Sequence, residues 1–184
     1  MQQMKYKIFI AFAFLYISCN TNYEAEEDRA INDIANEYLK RSREMYEYDD
    51  SKIVFISDAL MPISQVKQDQ EWMFRNKSYK LSDSIKFFRL IKLDIFNNLK
   101  YREFDRNKIS ILAPYKQSKS CDVQLGKDEI YKILKFSRVS FDHEMKNGIV
   151  VIDYTVGDEH GINYGYNGAL LIKKENGKWK FIRD

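Results

Sequence analysis

The chain has 184 residues, of which 45% are hydrophobic and 31% are charged, as in an ordinary globular domain. Its formal net charge of only +3 excludes strong binding of a polyanion by overall charge, so no nucleic acid partner is expected. Two cysteines exclude a disulfide scaffold and a zinc site built from cysteines, while seven glycines and two prolines exclude low-complexity architectures.

The first twenty residues predict an export signal. Lys5 and Lys7 precede an uninterrupted apolar run at residues 8–17. A run of this length suits the core of a signal peptide, whereas a membrane-spanning helix needs about 20 apolar residues. Ser18 supplies a small residue at the cleavage position, and Cys19 follows it directly.

This pattern resembles the signal peptide of bacterial lipoproteins, with residues 1–18 as the part removed. In that family the cysteine after the cleavage site is acylated and becomes the mature N-terminus. This chain has Tyr16 where the family usually has leucine, and Leu15 lies one place earlier. The resemblance implies lipidation of Cys19 and a membrane anchor in a bacterial cell envelope, periplasmic or surface-facing. The alternative is an ordinary secretory signal with an incidental cysteine.

If Cys19 is acylated after cleavage, Cys121 is the only thiol left in the mature chain. We interpret Cys121 as a small apolar residue rather than a nucleophile, because nothing in its neighbourhood except Lys119 would lower the pKa of its thiol. Cleavage also removes two lysines and no acidic residue, which lowers the net charge to +1.

Residues 19–27 are polar and are interpreted as a tether, followed by a single α+β domain at 28–184. A helix is predicted over residues 25–46, with acidic residues at its start and basic residues at its end, as the helix dipole favours. Its apolar positions recur at helical spacing. They are Ile31, Ile34, Ala35, Tyr38, Leu39 and Met45. We expect this stripe to pack on a sheet, although a partner-binding or membrane-surface helix would show a similar stripe.

The middle of the chain is predicted to alternate short strands and helices. The predicted elements are a strand at 52–57, helices at 64–76 and 82–104, a strand at 109–112, an irregular loop at 114–127 and a helical turn at 128–134. The stretch 82–104 also fits a strand, because Ile91, Leu93 and Ile95 alternate, but Ser82 as a helix cap favours a helix.

The last fifty residues predict an antiparallel meander. Strands are expected at 136–141, 149–154, 169–174 and 178–183, with tight turns at Asn147-Gly148 and Asn176-Gly177 and a glycine-rich loop within 156–168. Helices first and an antiparallel sheet last make the predicted fold class α+β.

A second resemblance concerns residues 133–182. The segment FSRVSFD, the apolar strand after it, the glycine-rich loop and the terminal LLIKKENGKWK resemble the C-terminal part of a group of uncharacterised bacterial secreted proteins. In that group the loop usually carries two cysteines, which this chain lacks. The resemblance implies a fold and export, and it implies no activity.

The glycine-rich loop is the candidate ligand-binding site, through Asp158, His160, Tyr164 and Tyr166. A histidine beside carboxylates can act as a base or bind a metal. However, the spacing of the acidic residues and histidines near this loop matches no catalytic or metal motif. The acidic residues and histidines considered in addition to Asp158 and His160 are His143, Glu144, Asp153 and Glu159. We therefore assign no catalytic residue, no metal site and no cofactor.

The sequence favours a lipid-anchored envelope protein with a non-enzymatic binding domain, whose partner is a protein or a small molecule. One alternative is a hydrolase-like enzyme that uses Asp153 and His160. The other is an immunity or inhibitor lipoprotein, which the size of the chain permits.

Overall fold

A computed structural model of the chain describes residues 22–42, 52–63, 80–118 and 129–182. The predicted signal peptide, Cys19, Cys121 and the predicted helix at 64–76 lie outside the described residues. Among the helices in these four ranges, none is long and apolar enough to cross a membrane.

The first helix, α1, covers residues 22–42 of the described chain. It is already helical at residue 22, three residues before the predicted start at residue 25. Its apolar stripe is buried as expected, with Ile31, Ile34 and Leu39 each about 1% exposed. Residues 22–27, interpreted from the sequence as tether, are already helical, and both Glu26 and Glu27 are buried against the domain.

The described strands form one eight-stranded mixed sheet. They are β1 (Ile53–Met61), β2 (Arg102–Glu103), β3 (Lys116–Gln117), β4 (Tyr131–Ser137), β5 (Ser140–Phe141), β6 (Asn147–Asp158), β7 (Gly161–Glu175) and β8 (Lys178–Phe181). The main order is β2-β1-β4-β6-β7-β8, with β3 beside β1 and β5 beside β6. β1 pairs in parallel with β3 and β4, and the remaining pairs are antiparallel. The predicted α+β fold with a C-terminal meander is confirmed, and the parallel partner β1 is an addition to it.

The predicted helix at 82–104 is interrupted. The structure has α2 at Leu81–Leu90, α3 at Asp94–Asn98 and a short 3₁₀ helix at Arg106–Lys108. At the break, Leu93 has an extended backbone with a ψ of 139°. The helical alternative is therefore confirmed for most of the segment, and Ile91, Leu93 and Ile95 are not in a strand; a strand, β2, occurs only at residues 102–103.

Two predicted elements in the next segment are wrong. Residues 109–112 are not a strand, and the described part of the predicted helical turn at 128–134 is instead the beginning of β4. Lys132, Leu134 and Phe136 alternate on the buried side of this strand. Because lysine is charged, Lys132 obscures the alternation of apolar residues that would predict a strand. In the structure, its Nζ lies inside the core, 4.6 Å from the ring centroid of Tyr115.

Three boundaries in the meander also differ. The predicted strand at 136–141 is broken at Arg138 and Val139, and Asn147-Gly148 belongs to β6 rather than to a turn. The chain reverses just before, at 142–146, where Met145 has a φ of 50°. The predicted loop within 156–168 is almost entirely β-strand, because β6 and β7 pair up to Asp158 and Gly161.

Each face of the sheet carries a hydrophobic core. On one face, α1 packs over residues such as Ile56, Leu134, Ile152 and Trp179. On the other, α2 and α3 pack over Ile149, Val151, Ala169 and Leu171. Ile149 and Val151 are alternate residues near the beginning of β6, so they share a face of the sheet. They pair with Leu171 and Ala169 toward the end of β7. The second core therefore covers this end of the two strands.

Candidate functional site

A groove of about 680 Å³ lies on the second face of the sheet, at the end where β6 turns into β7. Its floor is formed by Phe55 of β1 and by Tyr131 and Ile133 of β4, which occupy alternate positions and therefore share a face. The complete lining is Phe55, Ile56, Ser57, Asp58, Arg106, Tyr131, Ile133, Lys135, Asp158, Glu159, His160 and Gly161.

A bulge in β1 shapes one wall of the groove. Ile56 pairs with Leu134 and Leu60 pairs with Phe136, so β1 has two more residues than β4 between these pairs. The amide of Ala59 donates to Oγ of Ser57 at 3.2 Å and closes the bulge. Extra residues in one strand bend it and change the direction of its side chains, and the exposed Asp58 lies within this bend.

The aromatic part of the floor depends on a glycine. The rings of Phe55 and Tyr131 meet edge to face with centroids 5.8 Å apart. Tyr131 lies across Gly157 of β6, where an added Cβ would approach the Tyr131 hydroxyl oxygen to 2.5 Å. Any side chain at position 157 would therefore displace the tyrosine ring and alter the groove.

The rim of the groove carries charges of both signs. Nζ of Lys135 lies 3.4 Å from Oδ2 of Asp153. At the turn, Oδ1 of Asp158 accepts a hydrogen bond of 2.8 Å from the amide of His160. The His160 side chain is 84% exposed, and its Nε2 is 3.5 Å from a carboxylate oxygen of Glu159. This arrangement suits a ligand with an apolar body and polar or charged ends.

The structure separates the four residues of the candidate loop. Asp158 and His160 line the groove. Tyr164 and Tyr166 pair with Val156 and Tyr154, which belong to the face that α1 covers. These two tyrosines are 37% and 36% exposed and lie beside the α1 core rather than in the groove.

Asp153 and His160 are not close to each other. Asp153 precedes the end of β6 by five residues, which corresponds to about 17 Å along an extended strand. His143 and Glu144 lie farther away, in the turn before β6, where Glu144 forms an ion pair of 2.6 Å with Lys146. The acid–base pair of the hydrolase alternative is therefore absent from this arrangement.

Sequence reasoning missed the residues that β1 and β4 contribute to the groove. Phe55 lies in a strand that was correctly predicted, but its neighbours in the sheet come from a distant part of the chain. Tyr131, Ile133 and Lys135 alternate in the sequence, which is a strand signal that the helical interpretation of 128–134 obscured.

A buried polar cluster lies elsewhere, at the start of α1. The carboxylate of Glu27 is fully buried and accepts hydrogen bonds from Nε of Arg138 at 2.9 Å and from the amide of Val139 at 2.7 Å. Nη2 of Arg102 lies 3.0 Å from the same carboxylate. Burial raises the pKa of Glu27, while Arg138 and the Val139 amide oppose that rise.

These contacts join α1 to the segment between β4 and β5, which gives the cluster a structural role. The nearby hydroxyl of Tyr23 donates to the carbonyl of Val139, and burial raises the pKa of that hydroxyl. Within the four described ranges, no group of three or more histidine, cysteine or acidic side chains could hold a metal ion.

Comparison with protein-family models, with curated proteins and with solved structures finds no match to this chain. The groove is therefore interpreted from its own geometry.

Proposed function

We propose that this protein is a lipid-anchored protein of the bacterial envelope whose α+β domain binds a small molecule in the groove. The observation that carries the binding role is the groove itself. Its floor of Phe55, Tyr131 and Ile133 offers apolar contact, and its rim offers hydrogen-bonding and charged groups. Concave sites with an apolar lining and a few polar groups are typical of ligand binding.

The anchor rests on the resemblance of residues 1–19 to a lipoprotein signal and on the position of Cys19. The basic residues, the short apolar run and the cysteine after a small residue occur in the order that acylation requires. An acyl chain contributes about 0.8 kcal/mol per buried CH₂, so a cysteine that carries several chains holds a protein on a membrane.

A binding domain accounts for the site better than the enzyme alternative. A hydrolase that uses Asp153 and His160 needs the two side chains within hydrogen-bonding reach of one substrate. Asp153 lies five residues before the end of β6, whereas His160 lies in the turn beyond that end, with its side chain exposed beside Glu159. In the part of the chain that the structure describes, no specific contact or surface favours an immunity or inhibitor protein.

The binding role can be tested with the fluorescent apolar dye 1-anilinonaphthalene-8-sulfonate. We expect Ile133→Asp to weaken dye binding at least about tenfold, because the change removes an apolar contact of more than about 1.4 kcal/mol from the floor. Dye fluorescence titrated against folded protein measures the affinity, with circular dichroism as the check on folding.

The matched control is Ile85→Asp, which introduces the same charge at an isoleucine of α2 that is 44% exposed. This variant should bind the dye like the parent protein. If the parent protein does not bind the dye, or if both variants bind it equally well, the groove is not the ligand site.

A further inference from the structure

The chain between Cys19 and the folded domain is very short. Helix α1 is already formed at Asn22, so three residue steps connect it to Cys19. An extended chain spans at most about 3.3–3.6 Å per residue, which limits this connection to about 10 Å whatever its conformation. An acyl group on Cys19 would therefore hold the start of α1 close to the lipid headgroups.

The start of α1 lies at one end of the sheet. The Tyr23 ring meets the Phe141 ring edge to face at 5.3 Å. Phe141 in turn pairs with Gly148 at the beginning of β6. About one turn farther along the helix, Nζ of Lys174, near the end of β7, lies 2.6 Å from a carboxylate oxygen of Glu26. The attachment point is thus next to the beginning of β6 and the end of β7.

The groove lies toward the opposite end of the same strands. Strand β6 runs from Asn147 to Asp158, a distance of about 35 Å in an extended strand. The turn at 158–161 forms the far end of the groove, and Lys135, which pairs with Asp153, forms its near end. Even this near end is about 20 Å along β6 from Asn147.

The charge of the rim also disfavours contact between the groove and lipid. Three carboxylates, Asp58, Asp158 and Glu159, and two cations, Arg106 and Lys135, line the groove, so acidic side chains are in slight excess. Anionic headgroups repel carboxylates at the membrane surface. This small acidic excess adds to the distance between the groove and the start of α1 in favouring a rim turned toward water.

We infer that the acylated protein stands on the membrane with the start of α1 toward the lipid and the groove directed away from it, so that the groove takes a water-soluble ligand from the aqueous compartment. This inference rests on the lipid anchor of the proposed function. It deepens that function, because it excludes a ligand drawn from the bilayer. The ligand class is a water-soluble molecule with an apolar part for the floor and polar groups for the rim.

Energy transfer from the protein to a fluorescent lipid tests this orientation. Single cysteines for a donor dye replace Lys146, Leu112 or His160 in a Cys121→Ala background. Lys146 lies in the turn before β6, the amide of Leu112 donates to Asn36 in the second half of α1, and His160 lies at the groove. Acylated protein is placed on vesicles of phosphatidylcholine and phosphatidylglycerol that contain an acceptor lipid.

We expect transfer to be strongest from position 146, intermediate from 112 and several-fold weaker from 160. The Cys19→Ala form of each labelled chain should give no transfer, which controls for adsorption without an anchor. Equal transfer from the three positions, or strongest transfer from position 160, would overturn the orientation and point to a ligand from the bilayer. If the chain carries no acyl group, the proposed anchor fails, and a lipid coupled chemically to Cys19 still measures the orientation separately.

Discussion

Replacing Glu27 by alanine is expected to reduce the free energy of unfolding by about 3–5 kcal/mol, because it leaves a buried arginine without its counter-charge. Arg138 is only about 9% exposed, and its Nε donates to both carboxylate oxygens of Glu27. The amide of Val139 would also lose its acceptor. Urea denaturation followed by circular dichroism measures the change.

The matched control is Glu24→Ala, which removes an exposed carboxylate from the first turns of the same helix. Surface substitutions of this kind usually change stability by less than about 0.5 kcal/mol. If Glu27→Ala is no more destabilising than Glu24→Ala, the cluster does not hold α1 on the sheet.

Replacing Trp179 by alanine is expected to reduce the free energy of unfolding by about 3–5 kcal/mol, as for other buried aromatic residues. The side chain is 1% exposed, and its ring centroid lies 4.8 Å from that of Phe141. Its indole Nε1 donates to Glu26 at 2.7 Å. Thermal and urea denaturation would measure the loss, with Lys180→Ala as the control because its side chain is 49% exposed. Comparable losses in the two variants would contradict the packing of β8 against α1.

The variant Trp179→Phe separates the hydrogen bond from the packing. Burial alone would raise the pKa of Glu26, but the hydrogen bonds from Lys174 and Trp179, together with the charges of Lys174 and Arg29, hold the pKa below its usual value of 4.5. The stabilisation linked to this lowered pKa is present above pH 4.5 and is lost as the pH falls through the lowered pKa. The stability difference between Trp179→Phe and the parent should therefore be largest near neutral pH and should shrink in acid.

The elements that the sequence predicted well are those with a local signal. The apolar stripe of α1 needs only helical spacing, and the structure buries it. The Asn176-Gly177 turn was predictable because a type I′ turn requires positive φ at both positions, and these residues have φ values of 51° and 78°.

The elements that were missed depend on pairing with distant residues. Residues 161–168 contain glycine, asparagine and tyrosine, which resemble a loop by composition, yet they pair with residues 152–158 of β6. β1 and β4 are parallel neighbours more than seventy residues apart in the chain, and no local pattern reveals such a pair.

The candidate site was only partly predictable for the same reason. Asp158 and His160 reach the groove because they flank the turn between β6 and β7. Tyr164 and Tyr166 were grouped with them on the assumption of a flexible loop, but strand alternation places both on the other face of the sheet. Phe55 and Tyr131 meet only after β1 and β4 have paired, so the aromatic floor could be identified only from the fold.

The most direct test of the account is the mass of the intact protein extracted from bacterial membranes. We expect a chain that begins at Cys19 and carries the added mass of a diacylglyceryl group, and we expect Cys121→Ala to keep this modification. Cys19→Ala should abolish it and move the protein out of the membrane fraction. A chain that retains residues 1–18, or one that begins at an unmodified Cys19, would contradict the anchor.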